Sequence, residues 1–193
     1  CINVSNASFD RFFDKNNDRP PYKYDESVPF FNILIPTNDT VKYKEIMNFL
    51  SCNGYNSLFM GETGVGKSVV IMDYLKNEKS GKFIYKSSNF SAKTTSKNIF
   101  DILKTTIYKN GNFAPPAGKK FIYFIDDINL PQLDLFGSQQ PIEFIRQLID
   151  NRMLHDEKKI KRTIKDTEIM AACAPPSGGR NPCPPGPYTA FDA

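Results

Sequence analysis

Apolar residues along this chain fall into short blocks with two different spacings. Phe121-Ile-Tyr-Phe-Ile125 is a continuous apolar run, the pattern of a central parallel strand buried on both faces. Tyr55-Asn-Ser-Leu-Phe-Met60, Lys82-Phe-Ile-Tyr-Lys-Ser-Ser88 and Glu168-Ile-Met-Ala-Ala-Cys-Ala174 are three further short strand candidates. Between them the spacing opens to that of a helix. Ile46, Met47, Phe49 and Leu50 give one helix its buried face, with Thr40 as its cap and Asn53-Gly54 as its end. Residues 69–76 form a second helix. Ile99, Ile102, Leu103 and Ile107 mark a third within 94–109, and Pro141 opens a fourth with Ile142, Phe144, Ile145, Leu148 and Ile149. Strands alternating with helices predict an α/β fold, a parallel sheet flanked by helices. Ligands on such sheets sit at the carboxyl ends of the strands. That rule brings the stretch after Met60 and the ends of the runs at Ile125 and Ala174 to one rim.

The segments in between are polar. Residues 1–27 are rich in Asn and Asp, carry Pro20-Pro21, and read as an arm. A piece around Phe9, Phe12 and Phe13 is either a short amphipathic helix or a local hydrophobic anchor. Phe30-Phe-Asn-Ile-Leu-Ile-Pro-Thr37 is an extended apolar segment stopped by Pro36. Residues 110–119, with Pro115-Pro116, form a loop, and the charged stretch 153–165 an exposed hairpin or loop. Residues 28–182 thus make one module, followed by an irregular Pro-rich terminus at 183–193. No internal repeat is present.

The chemistry follows the first strand candidate. Gly61-Glu62-Thr63-Gly64-Val65-Gly66-Lys67-Ser68 reads G-x-x-x-x-G-K-[ST], with Val69 continuing into the helix behind it. Its glycines let the backbone turn back and bring successive N–H groups to a phosphate chain. The helix N-terminus then faces the anion. Lys67 supplies positive charge for the β- and γ-phosphates, and the Ser68 hydroxyl can ligate Mg²⁺. Asp126, directly after the apolar run, can hold the same cation itself or through water. Together they point to a P-loop fold binding a nucleoside triphosphate with magnesium. Asp127 stands where many ATPases place a glutamate that orients and deprotonates the attacking water, and it is one methylene shorter. A general base must reach hydrogen-bond distance of its proton, and a displacement of ~1 Å costs on the order of 100-fold. Asp127 is therefore a catalytic candidate of short reach, and slow or conditional hydrolysis is the expectation. No guanine-specifying N-K-x-D follows the loop, which disfavours a GTPase.

Composition narrows the classes further. The 193 residues fit one domain, and 40% hydrophobic with 24% charged residues is the balance of a soluble globular protein. A net charge of +4 is too modest and too scattered to argue for a nucleic-acid partner by itself. Tyr43, Tyr74, Phe83 and Tyr85 interleave with lysines but read as core or strand residues. No apolar run approaches the ~20 residues of a membrane span, and no signal peptide opens the chain. Four dispersed cysteines give no disulfide or zinc framework, so a reducing compartment is expected. The lone histidine, His155, reads as a surface residue. A chain that opens on Cys1 reads as a fragment.

Longer phrases carry a family resemblance. These are the segment at 30–37, the glycine loop, Phe124-Ile-Asp-Asp-Ile-Asn-Leu-Pro131, Phe136-Gly-Ser-Gln-Gln-Pro-Ile-Glu-Phe-Ile-Arg-Gln147 and Ala172-Cys-Ala-Pro-Pro-Ser-Gly-Gly-Arg-Asn-Pro182. Over residues 28–182 the chain resembles the third AAA+ module of dynein heavy chains, in wording closer to axonemal (ciliary) than to cytoplasmic dyneins. The resemblance implies the AAA+ large subdomain of a six-module ring that walks on microtubules. There the first module is the main hydrolysis site and the third a regulatory ATP or ADP site. It places phosphates on residues 61–68, the metal on Asp126 and the adenine beside Ile35 and Pro36. Implied partners are neighbouring AAA+ modules of the same heavy chain, with intermediate and light chains and microtubules reached only through the full motor. Neither membrane nor nucleic acid is among them. The implied location is cytoplasm and cytoskeleton, in the axoneme of a cilium or flagellum.

Some residues depart from the family. Ala174 either falls where many AAA+ proteins place a polar γ-phosphate sensor, or is a small residue packed at a strand end. Arg180 is either a neighbour contact or a structural loop arginine. After Pro182 the family leads one to expect a basic stretch whose arginine reaches the next module, yet residues 183–193 hold no arginine or lysine. The helical lid is missing as well. An independent AAA+ ATPase of chaperone or loader type, and a nucleotide-binding scaffold without hydrolysis, are the alternatives at this point.

Overall fold

The computed structural model describes residues 34–78, 81–109, 111–155, 159–176 and 180–181, with the short pieces 2–3, 8–9 and 190–191. Near the start, β1 (Ile2–Asn3) and β2 (Ser8–Phe9) pair antiparallel. Phe9 is therefore extended and not helical, while Phe12 and Phe13 lie outside the described residues. The main body begins with α1 (Asn38–Asn53), then β3 (Ser57–Met60), α2 (Lys67–Asn77), β4 (Phe83–Asn89) and α3 (Ser96–Ile107). A small hairpin of β5 (Tyr108–Lys109) and β6 (Asn112–Phe113) follows; β5 takes the last two residues of the stretch expected to be helical, and β6 lies in the stretch expected to be loop. Next come β7 (Lys120–Asp126) and α4 (Gln140–Asn151). A second hairpin, of β8 (Met153–His155) and β9 (Lys161–Thr163), leads into β10 (Thr167–Cys173).

β3, β10, β7 and β4 form one parallel sheet in that spatial order. The last strand is thus inserted between the first and the third. It is buried at all seven positions, as expected for a strand covered on both faces. Alternate residues of β7 and β10 serve opposite layers because strand side chains repeat every two residues. Phe121, Tyr123, Ile125, Ile169 and Ala171 pack with α3 and α4, whereas Ile122, Phe124, Met170 and Ala172 pack with Met47 of α1 and with α2. The result is a three-layer α/β module, as the alternation of patterns predicts. No helix among the described residues is long and apolar enough to cross a membrane.

Local physics corrects two readings of α1. Its N-cap is Thr37, not Thr40. The Thr37 hydroxyl accepts from the Thr40 N–H at 3.2 Å and the Thr40 hydroxyl accepts from the Thr37 N–H at 2.8 Å, a reciprocal capping box. Its buried face also differs, since Met47 and Ser51 are buried while Ile46 and Phe49 are exposed. At 100° per residue, positions 46, 47, 49 and 50 do span a single arc of about 160°, but the helix is turned so that only its Met47 edge, continued by Ser51, meets the sheet, with Leu50 half-buried and Phe49 facing away. The hairpin at 153–163 leaves His155 exposed, as expected, but it is anchored by Leu154 and followed by buried Ile164. The loop after β7 carries Leu135 and Phe136, 99% and 93% exposed, on a turn closed by hydrogen bonds from the Phe136 and Ser138 N–H groups to the Asp134 carboxylate.

At the end of the sheet away from its carboxyl rim, Lys120 joins three elements. Its Nζ donates to the Ser51 and Cys52 carbonyls at 2.8 and 2.9 Å, where α1 ends, and pairs with Glu168 Oε1 at 3.1 Å. A cation is favourable at a helix C-terminus. Glu168 is almost fully buried, and this burial pushes its carboxyl up to about 7, against the opposing pull of Lys120. The native state then holds the proton more tightly than the unfolded chain, whose value is 4.5. Stability from this group is full below pH 4.5 and is lost as pH rises to about 7. Denaturant unfolding followed across that window should show stability falling with pH, and Glu168→Gln should flatten the slope. An equally steep slope in the variant would remove Glu168 as its cause.

Candidate functional site

The carboxyl rim of the sheet gathers the glycine loop, the end of β7 and the end of β10. Residues 61–66 turn from β3 into α2, and the Gly61 N–H donates to the Cys173 carbonyl at 3.3 Å, tying the loop entry to β10. Gly64 and Gly66 have φ of 87° and 86°, the left-handed region that favours glycine. A Cβ placed on either would meet nothing within 4 Å, so the space over the loop is open. Gly66 is also the N-cap of α2 and supplies no side-chain bond to the first turn. The leading N–H groups of that helix thus face outward with the positive end of its dipole.

Lys67 Nζ donates to the Gly61 and Glu62 carbonyls, both at 2.7 Å, and so lies across the loop mouth. An ammonium has three donors, which leaves one for an incoming oxygen. Glycine loop, helix start and lysine together fit a polyphosphate.

Two cavities meet at Gly66 and Lys67. One, of about 230 Å³, is lined by Gly64, Ser68, Asp126, Asp127, Ala174 and Arg180 among others. The second, of about 500 Å³, lies on the side of α1, with Thr37, Tyr43, Met47, Leu58 and Val70 in its wall. The pair offers a charged compartment at one end of the loop and a largely apolar one at the other. In the first, the Ser68 hydroxyl and the Asp126 carboxylate face a common space. Among the described residues no group of three or more His, Cys, Asp or Glu side chains could hold a metal ion. One hydroxyl and one carboxylate, completed by phosphate oxygens and water, is the donor set that suits Mg²⁺.

Other candidates are placed as follows. Asp127, at φ 51°, turns its carboxylate to Arg180, whose Nε and Nη2 donate to Asp127 Oδ1 at 3.2 and 3.0 Å. Arg180 therefore has a partner inside the chain. Ala174 is buried beside the loop, and its carbonyl accepts from Asn129 Nδ2 at 2.8 Å. Ile35 and Pro36 are not in the wall of the larger cavity, which begins one residue later at Thr37, and Ile35 is exposed. Tyr74 and Phe83 pack in the interior as expected, while Tyr43 is exposed at the cavity wall and Tyr85 is exposed. The pattern reading missed Thr37, Tyr43 and Asn129. Asn129 is 1% exposed and holds the Ala174 and Asn181 carbonyls through Nδ2. A polar residue three positions past a strand carries no signal for such a clamp.

Comparison with known proteins places this geometry. Residues 22–191 match a family model described as P-loop containing dynein motor region. Over 170 residues the chain is 41% identical to human dynein axonemal heavy chain 6, covering 86% of this chain and 4% of that protein. It is 38% identical over 156 residues to the dynein-1-beta heavy chain of the flagellar inner arm I1 complex from Chlamydomonas reinhardtii, covering 79% and 4%. The chain spans about 4% of the length of these relatives. A crystal structure of a candidate ATPase from Cytophaga hutchinsonii superposes with a TM-score of 0.52 at 15% identity, over 79% of this chain and 44% of that one, a likeness of fold alone.

The loop glycines differ in what they require, which gives a direct check. Gly66→Ala meets no atom but must hold a left-handed backbone, so it should cost about 1–2 kcal/mol in denaturant unfolding. Gly61→Ala meets Val65 and Lys67 side-chain carbons at 3.5 and 3.7 Å, ordinary contacts, and should stay within about 0.5 kcal/mol. Equal costs at the two positions would contradict this account of the loop.

Proposed function

Since the chain belongs to the family of P-loop dynein motor regions, we propose that it binds ATP or ADP with Mg²⁺ at residues 61–68 and hydrolyses ATP slowly or only under control. The observation that carries this reading is the shared cavity between Ser68 and Asp126 at one end of the glycine loop. Main-chain N–H groups of the loop and of the first turn of α2 hold the phosphates. Lys67 would supply positive charge to the phosphates, while Ser68 and Asp126 would hold the metal. When bound, the cation neutralises charge on the phosphate oxygens. The base and ribose occupy the larger cavity, whose wall begins at Thr37, the residue after Ile35 and Pro36, while Val69 lines the smaller one beside Ser68.

Two features support binding over fast turnover. Asp127, the residue in line to activate water, is one methylene short of a glutamate and is engaged by Arg180. Ala174, where a polar γ-phosphate sensor is common, offers only a methyl group. A module of this kind reports which nucleotide it holds more readily than it consumes it. We place it as the third, regulatory module of a heavy-chain ring, with residues 28–182 as its core, residues 1–27 as an arm and 183–193 as a terminal segment. Its direct partners are then the neighbouring modules of the same heavy chain. Intermediate and light chains and microtubules are reached through the whole motor, in the cytoskeleton of a ciliary or flagellar axoneme. The axonemal and flagellar heavy chains that it matches support this placement.

Titration calorimetry with Mg-ATP and Mg-ADP tests the reading. Hydrogen bonds to charged groups contribute about 1.5–3 kcal/mol, so Lys67→Ala should weaken binding about 10- to 100-fold. Asp126→Asn should remove most of the gain in ATP affinity that Mg²⁺ gives. Phosphate release should be slow in the natural chain, and Asp127→Glu should raise it on the order of tenfold. Unchanged affinity in Lys67→Ala would sink the binding site, and unchanged release in Asp127→Glu would sink the role of Asp127.

A further inference from the structure

We propose that Arg180 is the residue by which this site distinguishes a triphosphate from a diphosphate, its guanidinium leaving Asp127 for the terminal phosphate when that phosphate is present. The inference rests on the nucleotide reading above and adds to it the element that reads the γ-phosphate.

Arg180 reaches the cavity that Ser68 and Asp126 line, at the end of the loop where a terminal phosphate would lie. Its present partner holds it weakly. Nε and Nη2 both donate to a single oxygen, Asp127 Oδ1, so the two planar groups are not matched fork to fork. Asp127 is about one-third exposed, and ion pairs in reach of solvent contribute little. A phosphate presents several oxygens and more charge, which suits the guanidinium fork better than one carboxylate oxygen does.

The residue beside Arg180 is tied to the loop after β7, so the exchange is drawn as a rotation of the side chain. The Asn181 N–H donates to the Asn129 carbonyl at 3.1 Å, and Asn181 Nδ2 donates to the Pro131 carbonyl at 2.8 Å. Asn129 Nδ2 in turn holds both the Ala174 and Asn181 carbonyls, at 2.8 and 3.3 Å. One buried asparagine therefore ties the exit of β10 to the arginine. Asp127 is pinned from its own side by a left-handed backbone and by the Leu130 N–H on its carbonyl at 3.0 Å. Backbone strain of that kind in a non-glycine residue gathers at functional sites.

Charge gives the exchange its direction. Lys67 and the cation on Asp126 offset part of the charge of a terminal phosphate, but Asp127 would still face it, and Ala174 supplies no side-chain donor, so Arg180 is the remaining cation in that cavity among the described residues. Moving the guanidinium onto the phosphate also uncovers Asp127 at the moment when there is a phosphate to attack. Base availability and triphosphate occupancy become one event, and a diphosphate leaves the Asp127–Arg180 pair closed.

The test compares Mg-bound non-hydrolysable ATP analogue with Mg-ADP, by calorimetry, on the chain and four variants. Arg180→Ala should weaken the triphosphate on the order of tenfold and leave ADP within about twofold. Arg180→Lys should recover part of the loss, since it keeps the charge but not the fork. Asp127→Asn should tighten the triphosphate several-fold with ADP unchanged, because the competing carboxylate is gone and asparagine tolerates the left-handed backbone. Lys67→Ala should weaken both nucleotides. Equal losses for both nucleotides in Arg180→Ala, or no loss for either, would overturn the proposal while leaving nucleotide binding in place. Failure of the natural chain to bind either nucleotide would overturn both.

Discussion

The rim depends on one placement, that of β10 between β3 and β7. A strand buried at all seven positions has no freedom of register, because a shift by one residue would exchange its two layers. Met170 and Ala172 must meet the α1–α2 layer, and Ile169 and Ala171 the α3–α4 layer. That register brings Cys173 level with Met60 and Ala171 level with Ile125. The glycine loop, Asp126 and Ala174 then emerge side by side. The position of the proposed phosphate site at this edge thus follows from apolar burial several residues below it.

The loop adds its own constraint. Backbone at Gly64 and Gly66 is left-handed, and the lysine that follows folds back across two loop carbonyls. A cradle formed from main chain does not depend on most of the side chains in it, those of Glu62, Thr63 and Val65 among them. The chemistry is concentrated in Lys67, Ser68 and Asp126. Around that group stand a short Asp127, an arginine on its carboxylate and an alanine beside it, the three features behind the proposal of occupancy over turnover.

How much of this was legible in the sequence follows from how local each signal is. The strand runs and the glycine octet are local patterns, and they located the sheet and the loop to within a few residues. β7 in particular was readable because five consecutive apolar residues have no other stable place in such a fold. The α1 face was misread because the apolar stripe does not say how the helix is rolled against the sheet, and packing buries only its Met47 edge, together with the polar Ser51. Thr37 and Thr40 are both competent caps, and only the geometry shows that each caps through the other. The Asp127–Arg180 pair spans 53 residues of sequence and Asn129 reaches across 45 to Ala174, so no spacing rule announces either. Ile35 and Pro36 came from family resemblance alone, and the cavity wall begins just after them.

The most direct test is a crystal structure of the chain with Mg²⁺ and a non-hydrolysable ATP analogue. The account predicts the phosphates on the main-chain N–H groups of residues 61–68, the cation between Ser68 Oγ and the Asp126 carboxylate, and the Arg180 guanidinium turned from Asp127 to the terminal phosphate. Phosphates bound elsewhere, or a cation away from Ser68 and Asp126, would contradict it.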